Sequence, residues 1–319
     1  MQRQLLPALL FFLVLVFSSS ANAARCLFVS SYHPGYPWAD GIEQGVRSTL
    51  AGHCEIKQFD MDTKRQQDEH IIQSKAKEIH RFIEQWKPDV IITADDNAAK
   101  YLVVPYLKNT TIPVVFCGLN WTVDEYGFPA SNITGMIEVA PIREVFNKIR
   151  DILPSARTGY YLGADTLTEH KSYERFARYA REHRLTLVRR LSQTQKDWKR
   201  NYIEAQQANF IILGTESGIK NWDDDQALQI VKQHGHTLSI TVYDWLIKFA
   251  AIGMHKLPEE HGQWAALAAL AILDGTPPSD IPVIPNQNWD MVINPSILNQ
   301  VSSPIPEYLW YQGKTFNEK

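Results

Sequence analysis

The strongest constraint on this chain is a rhythm of short apolar, β-prone runs, each followed by a loop and then by a stretch with helical spacing. The runs of the first half fall at 26–29, 54–59, 90–93, 114–117 and 133–137, and those of the second at 158–162, 185–188, 210–213 and 237–241. Runs of this length read as buried strands. Between them, residues 68–86 place Ile72, Ala76, Ile79, Ile83 and Trp86 on one helical face before Lys87-Pro88 stops the pattern. Pro141 is placed as the first helical residue of a segment running to Leu153, which Pro154 ends. Alternation of this kind predicts parallel sheets, and two successive sets joined near residue 139 predict two α/β domains.

The chain continues past the second set. Residues 250–253 are small and apolar, 259–273 are strongly helical, and Gly275-Thr276-Pro277-Pro278 breaks that helix before a last short strand at 290–294. This late helix needs the first domain as its partner, so the chain must return to it. The tail from Tyr308 onward is left unassigned.

The stretch 25–50 packs a strand, an aromatic loop and a helix into immediate succession. Pro34, Gly35 and Pro37 forbid regular structure while Tyr32, His33, Tyr36 and Trp38 supply rings, and Asp40 sits where a helix could begin. Loops after the strands of an open α/β sheet face the ligand crevice. Four rings in that position are hard to bury locally, which favours stacking on a flat or apolar ligand, with Ser31 or His33 on its polar end; the alternative is a rigid turn packed on its own domain. Asp95-Asp96-Asn97 follows the third strand and either binds an amino group, hydroxyls or a cation, or caps the next helix. Asn120-Trp121 follows the fourth. Of the second set, Gly163-Ala164-Asp165, Thr215-Glu216-Ser217 and Tyr243-Asp244-Trp245 stand in the same relation to their strands, with Glu216 and Asp244 able to neutralise an ammonium group or to remain solvated loop acids.

Residues 1–23 combine Arg3, an apolar run over 9–17 and Ala21-Asn22-Ala23, the layout of a secretory signal peptide cleaved after Ala23. The apolar run is short for a membrane span, and Arg25 before Cys26 is unlike a lipid-attachment box. Cleavage removes one of the 32 Lys+Arg and none of the 35 Asp+Glu, leaving a net charge of about −4 and no electrostatic case for nucleic acid or anionic membrane. The expected location is periplasmic or secreted. Three cysteines in an exported chain leave one over. Cys26 and Cys54 begin successive strands and would share one end of a parallel sheet, which predicts a disulfide, two buried thiols being the alternative; Cys117 reads as inert core.

Enzyme signals are absent: there is no GxSxG, P-loop or GxGxxG, and His234-Gly235-His236 lacks supporting metal ligands. Trp222-Asp223-Asp224-Asp225 reads as a capped helix start. The reading is of a protein without cofactor or metal and without catalysis.

The segments SSYHPGYPWADGIEQGV, PDVIITADDNAAKYL, IPVVFCGLN, NITGMIEVAPIREVFNKIRDILPSA, GQWAALAALAILDGTPPSDIPV and INPSIL occur in an order that resembles ABC-transporter substrate-binding proteins of the type I periplasmic fold, in particular the tryptophan and tyrosine binders. The resemblance implies two Rossmann-like lobes with parallel sheets, joined by a three-crossing hinge and closing on a ligand delivered to a membrane ABC permease. It implies lobe 1 at 24–138 plus 250–276 and lobe 2 at 139–249 plus 277–319, with crossings near Glu138-Val139, near 249–253 and near 276–282. Carried over by position, Ser31, Tyr32, Trp38, Asp95, Asp96 and Asn120 of the first lobe, and Thr215, Glu216 and Tyr243 of the second, would contact the ligand, an aromatic or amino-acid-like solute. The first loop is longer and more aromatic than in such binders. Its wording YHPGYPW also resembles extracytoplasmic sensor modules of the same fold, which implies as an alternative a ligand-sensing module signalling to a membrane histidine kinase or diguanylate cyclase.

Overall fold

A computed structural model describes residues 23–317. The expected signal peptide, apart from Ala23, lies outside the described residues. No described helix is long and apolar enough to cross a membrane.

The first set of elements is β1 (Ala24–Ser30), α1 (Pro37–Leu50), β2 (Cys54–Asp60), α2 (Glu69–Trp86), β3 (Val90–Ala94), the one-turn α3 (Asp95–Ala98), β4 (Val114–Asn120) and β5 (Ile133–Glu138). A wide-turned π-helix, Ala99–Leu107, continues α3. The second set is α4 (Ile142–Ile152), β6 (Thr158–Ala164), α5 (Leu167–Glu182), β7 (Thr186–Ser192), α6 (Gln195–Ala205), β8 (Phe210–Leu213), α7 (Asp224–His234) and β9 (Leu238–Thr241). After these come β10 (Ile252–Lys256), α8 (Pro258–Leu273), β11 (Ile284–Pro285), β12 (Trp289–Ile293), α9 (Pro295–Leu298), α10 (Leu309–Gln312) and β13 (Lys314–Thr315).

As the alternation predicts, these elements form two α/β lobes. The first sheet runs β11-β5-β4-β3-β1-β2 and the second β13-β12-β10-β9-β8-β6-β7. Every pairing is parallel except β10 with β12. The first sheet carries apolar cores on both faces, one under α2 and the π-helix, the other under α1 and α8. On α2 the predicted Ile72, Ala76, Ile79 and Ile83 are buried, and each buried isoleucine stabilises by about 1.5 to 3 kcal/mol. Asp68 caps this helix, accepting from the backbone of His70 at 2.8 Å. Asp223 likewise caps α7.

The late helix does return to the first lobe, and glycines govern how closely it lies. A Cβ on Gly262 would meet the Ile42 carbonyl oxygen at 2.0 Å, and one on Gly45 the Glu259 carbonyl at 2.3 Å. Helices α1 and α8 thus touch backbone to backbone.

Strand membership moves two of the expected crossings. The chain stays in the second sheet through Lys256, because 250–253 are not a linker but lead into β10, whose Ile252 pairs with Ile240 and Ile293. The return to lobe 1 therefore falls at Leu257. The last crossing falls at 286–288 rather than 276–282, because β11 still pairs with β5. Lobe 1 comprises 24–138 and 258–285, and lobe 2 comprises 140–256 and 289–315. The tail joins lobe 2: β13 pairs with β12, and Leu309 is fully buried in that lobe's core. Pro141 is the residue before α4, not its first.

Cys26 and Cys54 are bonded, with 6.0 Å between their Cα atoms. Strand β1 starts two residues earlier than expected and Cys54 pairs with Ala24, so the bridge is diagonal. Cys117 is a buried free thiol.

Candidate ligand-binding site

In each sheet the strand order reverses once, and loops at such a point splay apart to leave a crevice. In the first lobe this happens between β1 and β3, whose last residues Ser30 and Ala94 are partners. In the second it happens between β6 and β8. The chain therefore brings the Ser31–Trp38 loop beside Asp95-Asp96 on one wall, and Asp165–Glu169 beside Gly214–Ser217 on the other.

On the first wall Asp95 adopts a left-handed backbone at φ 68° and turns its carboxyl inward, where it is 2 % exposed. It does not cap α3. Its Oδ1 accepts from the indole Nε1 of Trp38 at 2.9 Å, while Oδ2 is buried with no hydrogen-bond partner. Room for it comes from Gly118, where a Cβ would stand 2.9 Å from Oδ1. Burial first, then the neighbouring charge of Glu138, pushes this carboxyl well above the usual range. Asp96 accepts from Asn120 Nδ2 at 2.6 Å and from the Tyr126 hydroxyl at 2.7 Å. Tyr32 is half-buried, and burial together with Asp95, Asp96 and Glu138 raises its phenol strongly. Lys64 lies over the rings of Tyr32 and Tyr36 at 4.6 and 5.1 Å.

On the second wall Glu169, in the first turn of α5, is fully buried. It accepts from the hydroxyls of Tyr161 at 2.9 Å and Tyr243 at 3.2 Å. Gly163 and Gly214 make its seat, since Cβ atoms there would come within 2.4 and 2.0 Å of its Oε2. Burial lifts this carboxyl to about 7 against the hydrogen bonds of the two tyrosines. Beside it Glu216 accepts from the Trp245 indole at 3.0 Å and the Thr215 hydroxyl at 3.3 Å. Tyr243 and Trp245 pack with ring centres 4.9 Å apart.

The walls face one another. The charge of Glu138, at the end of β5, raises both the Tyr32 phenol of lobe 1 and the Tyr243 phenol of lobe 2. The guanidinium of Arg175, on α5, stacks 4.2 Å over the Trp121 ring of the first lobe. At the crossings Lys256 pairs with Glu138 and sits 5.5 Å over Trp38. Asn286 accepts from the Val139 amide at 2.7 Å, and Glu260 accepts from the amides of Gln287 and Asn288 at 2.8 and 2.9 Å.

The family described as ABC transporter substrate binding protein matches residues 29–315. The chain belongs to that family. Members of this family bind a small-molecule substrate for an ABC permease and are in general not enzymes. Among solved structures, the substrate-binding protein CD0873 of Clostridium difficile, in a ligand-free open structure, is 14% identical and superposes with a TM-score of 0.75, covering 93% of this chain and 100% of that one. An ABC domain of Streptococcus pneumoniae in complex with L-Trp is 16% identical with a TM-score of 0.61, covering 92% and 99%. A conserved domain protein of Vibrio cholerae is 19% identical with a TM-score of 0.58, covering 92% and 100%. These likenesses show the type I periplasmic binding fold. Comparison with curated sequences gave no match.

Within this substrate-binding protein the expected residues divide. Tyr32, Trp38, Asp95, Asp96 and Asn120 stand together on the first wall, and Glu216 and Tyr243 on the second. Ser31 does not reach the crevice: it is fully buried, donating to the Ala94 carbonyl at 2.6 Å and accepting from the Ala98 amide at 2.8 Å. Its role is to tie β3 and α3 to the loop. The Thr215 hydroxyl is similarly engaged with Glu216 and the Ser217 amide. Trp38 is in the first turn of α1, Pro37 opening that helix rather than preventing it. His33 turns toward Asp62 at 3.3 Å, and Tyr36 packs on Tyr32. Asp244 is exposed and accepts from the Trp245 amide. Glu169, Tyr161, Lys64 and Arg175 carry no sequence signal that marks them for the site, and Glu138 is marked only as a crossing. Thr166 and Glu169 carry the Thr-x-x-Glu spacing of a capped helix start, a signal that finds the helix but not the inward turn of the acid.

Proposed function

We propose that this protein captures a small organic solute with a planar or apolar part between its lobes and hands it to a membrane ABC permease. The observation that carries this is the pairing of two switch-point walls, each with rings and carboxylates, whose groups lie within electrostatic reach of one another. A solute touching both walls binds the closed arrangement more tightly than the open one and shifts the population toward closure. The relative complexed with L-Trp supports an aromatic solute. The contact set we assign is Tyr32, Trp38, Asp95, Asp96 and Asn120 against Glu216 and Tyr243.

The test is thermal unfolding of ligand-stripped protein with aromatic amines, amino acids, purines, pyrimidines and aromatic acids. A true ligand at 100 times its dissociation constant adds about 2.7 kcal/mol, a rise of several degrees. Turnover of a bound compound in place of simple release would sink the transport reading.

The loop over Tyr32–Trp38 favours a second reading in which the closed form docks on a membrane histidine kinase or diguanylate cyclase. Cross-linking in membranes distinguishes them by which partner, permease or sensor, is captured when ligand is present. We also assign the mature protein to the periplasm, with cleavage near Ala23, which N-terminal sequencing of exported protein checks.

A further inference from the structure

Four carboxylates belong to the facing walls, Asp96 and Glu216 toward the crevice and Asp95 and Glu169 buried directly behind it, and the partners described above for each are neutral: indole, amide and hydroxyl donors. The cations nearby are engaged elsewhere. Lys256 pairs with Glu138, Arg175 stacks on Trp121, and Lys64 stacks on Tyr32 and Tyr36 while remaining within electrostatic reach of Asp95.

Two further observations point to what is received. The Asp95 Oδ2 is a buried acceptor with no hydrogen-bond partner, inside the field of Glu138 and Asp96 and next to the Tyr32 phenol. The faces of Tyr32 and Tyr36 already hold an ammonium group, that of Lys64, which shows that this wall accepts a cation on its rings.

We propose that the cleft selects organic cations, an ammonium or amidinium group carried on an apolar or planar body, with the charge received by Asp95 from lobe 1 and by the Glu169–Tyr243 pair from lobe 2. This rests on the binding reading above. Closing the lobes without a cation obliges these buried acids to hold their protons or to repel one another; a cation between them lets them ionise and draws the two walls together. The cationic ligand is therefore also the closing signal, while an anion of the same shape is excluded.

The test uses the full mature protein and one ring system in three charge states, tryptamine, tryptophol and indolepropionate, with choline and putrescine as cations lacking the ring, followed by calorimetry. Tryptamine is expected to bind at least about tenfold tighter than tryptophol, with indolepropionate showing no heat. Asp95→Asn and Glu169→Gln are each expected to weaken tryptamine by about tenfold and tryptophol by less than about twofold. Circular dichroism of both variants separates loss of the site from loss of the fold, and if one does not fold the other still decides. Preference for tryptophol or indolepropionate overturns the cation assignment and leaves a binding protein standing. Absence of binding by every compound from the amine panel and the wider screen, with the fold intact, overturns both.

Discussion

Two buried acids set the behaviour of individual residues here. Glu169 has its carboxyl raised to about 7, with Tyr161, Tyr243, Thr215 and Glu216 around it, and with Ser172 and the field of Glu138 acting on Tyr243 beside it. A raised carboxyl holds its proton more tightly in the folded state than in the unfolded chain, so its contribution is full below the ordinary value of about 4.5 and is lost as pH rises through about 7. The loss is about 3 kcal/mol. Urea unfolding across that window is expected to show Glu169→Gln lacking this part of the wild-type slope, with Asp95 adding a slope of the same sign to both proteins. At Trp38 two functions separate. Trp38→Phe removes the indole donor and leaves both Asp95 oxygens unpartnered, an expected loss of about 1 to 3 kcal/mol in folding stability. Trp38→Ala also loses a ring that packs 5.2 Å from His261, and is expected to weaken ligand binding by about 1 to 3 kcal/mol by calorimetry.

Among the elements, the α1–α8 contact is the most exacting. Gly262→Ala would drive a methyl into the Ile42 carbonyl, and because the obstacle is backbone the helices must separate. A loss of about 1 to 3 kcal/mol is expected in denaturant unfolding. Reduction of the Cys26–Cys54 bond, which closes a 28-residue separation, is expected to cost about 3 to 4 kcal/mol by the loop-entropy argument. How far these elements were legible follows from what each depends on. Strands such as Phe210–Leu213 announce themselves because burial on both faces demands an unbroken apolar run. The crossing after β10 was obscured because Ala250-Ala251-Ile252-Gly253 has the smallness of a linker, while Ile252 and Gly253 owe their place in a strand to partners elsewhere in the chain, in β9 and, forty positions downstream, in β12. Glu169 carries only the spacing of an ordinary helix-start acid, since the glycines that admit it lie elsewhere in the chain, Gly163 in β6 and Gly214 just past β8. Ser31 looked like a ligand contact because a hydroxyl at a strand's end can serve either the crevice or the backbone behind it.

At the scale of the whole molecule, the Lys256–Glu138 pair joins a strand of each lobe where the chain crosses, and both groups are largely buried. Lys256→Met strands the Glu138 carboxylate and is expected to lower stability by about 1 to 3 kcal/mol and to broaden the range of lobe angles seen by small-angle scattering; adding Glu138→Gln should restore much of the stability. The threading of the lobes also sets a schedule for folding. Lobe 1 lacks α8 and its edge strand β11 until residue 285 has been made, although its first strand is complete at residue 30. Its Val46 and Leu50 therefore wait, uncovered, through the synthesis of nearly the entire second lobe. Lobe 2 has five neighbouring strands, β6 to β10, within one uninterrupted stretch and can gather early. Contacts of such long sequence separation fold slowly, so the half that comes first off the ribosome is the half that finishes last, and a newly made chain stays loose for most of its journey.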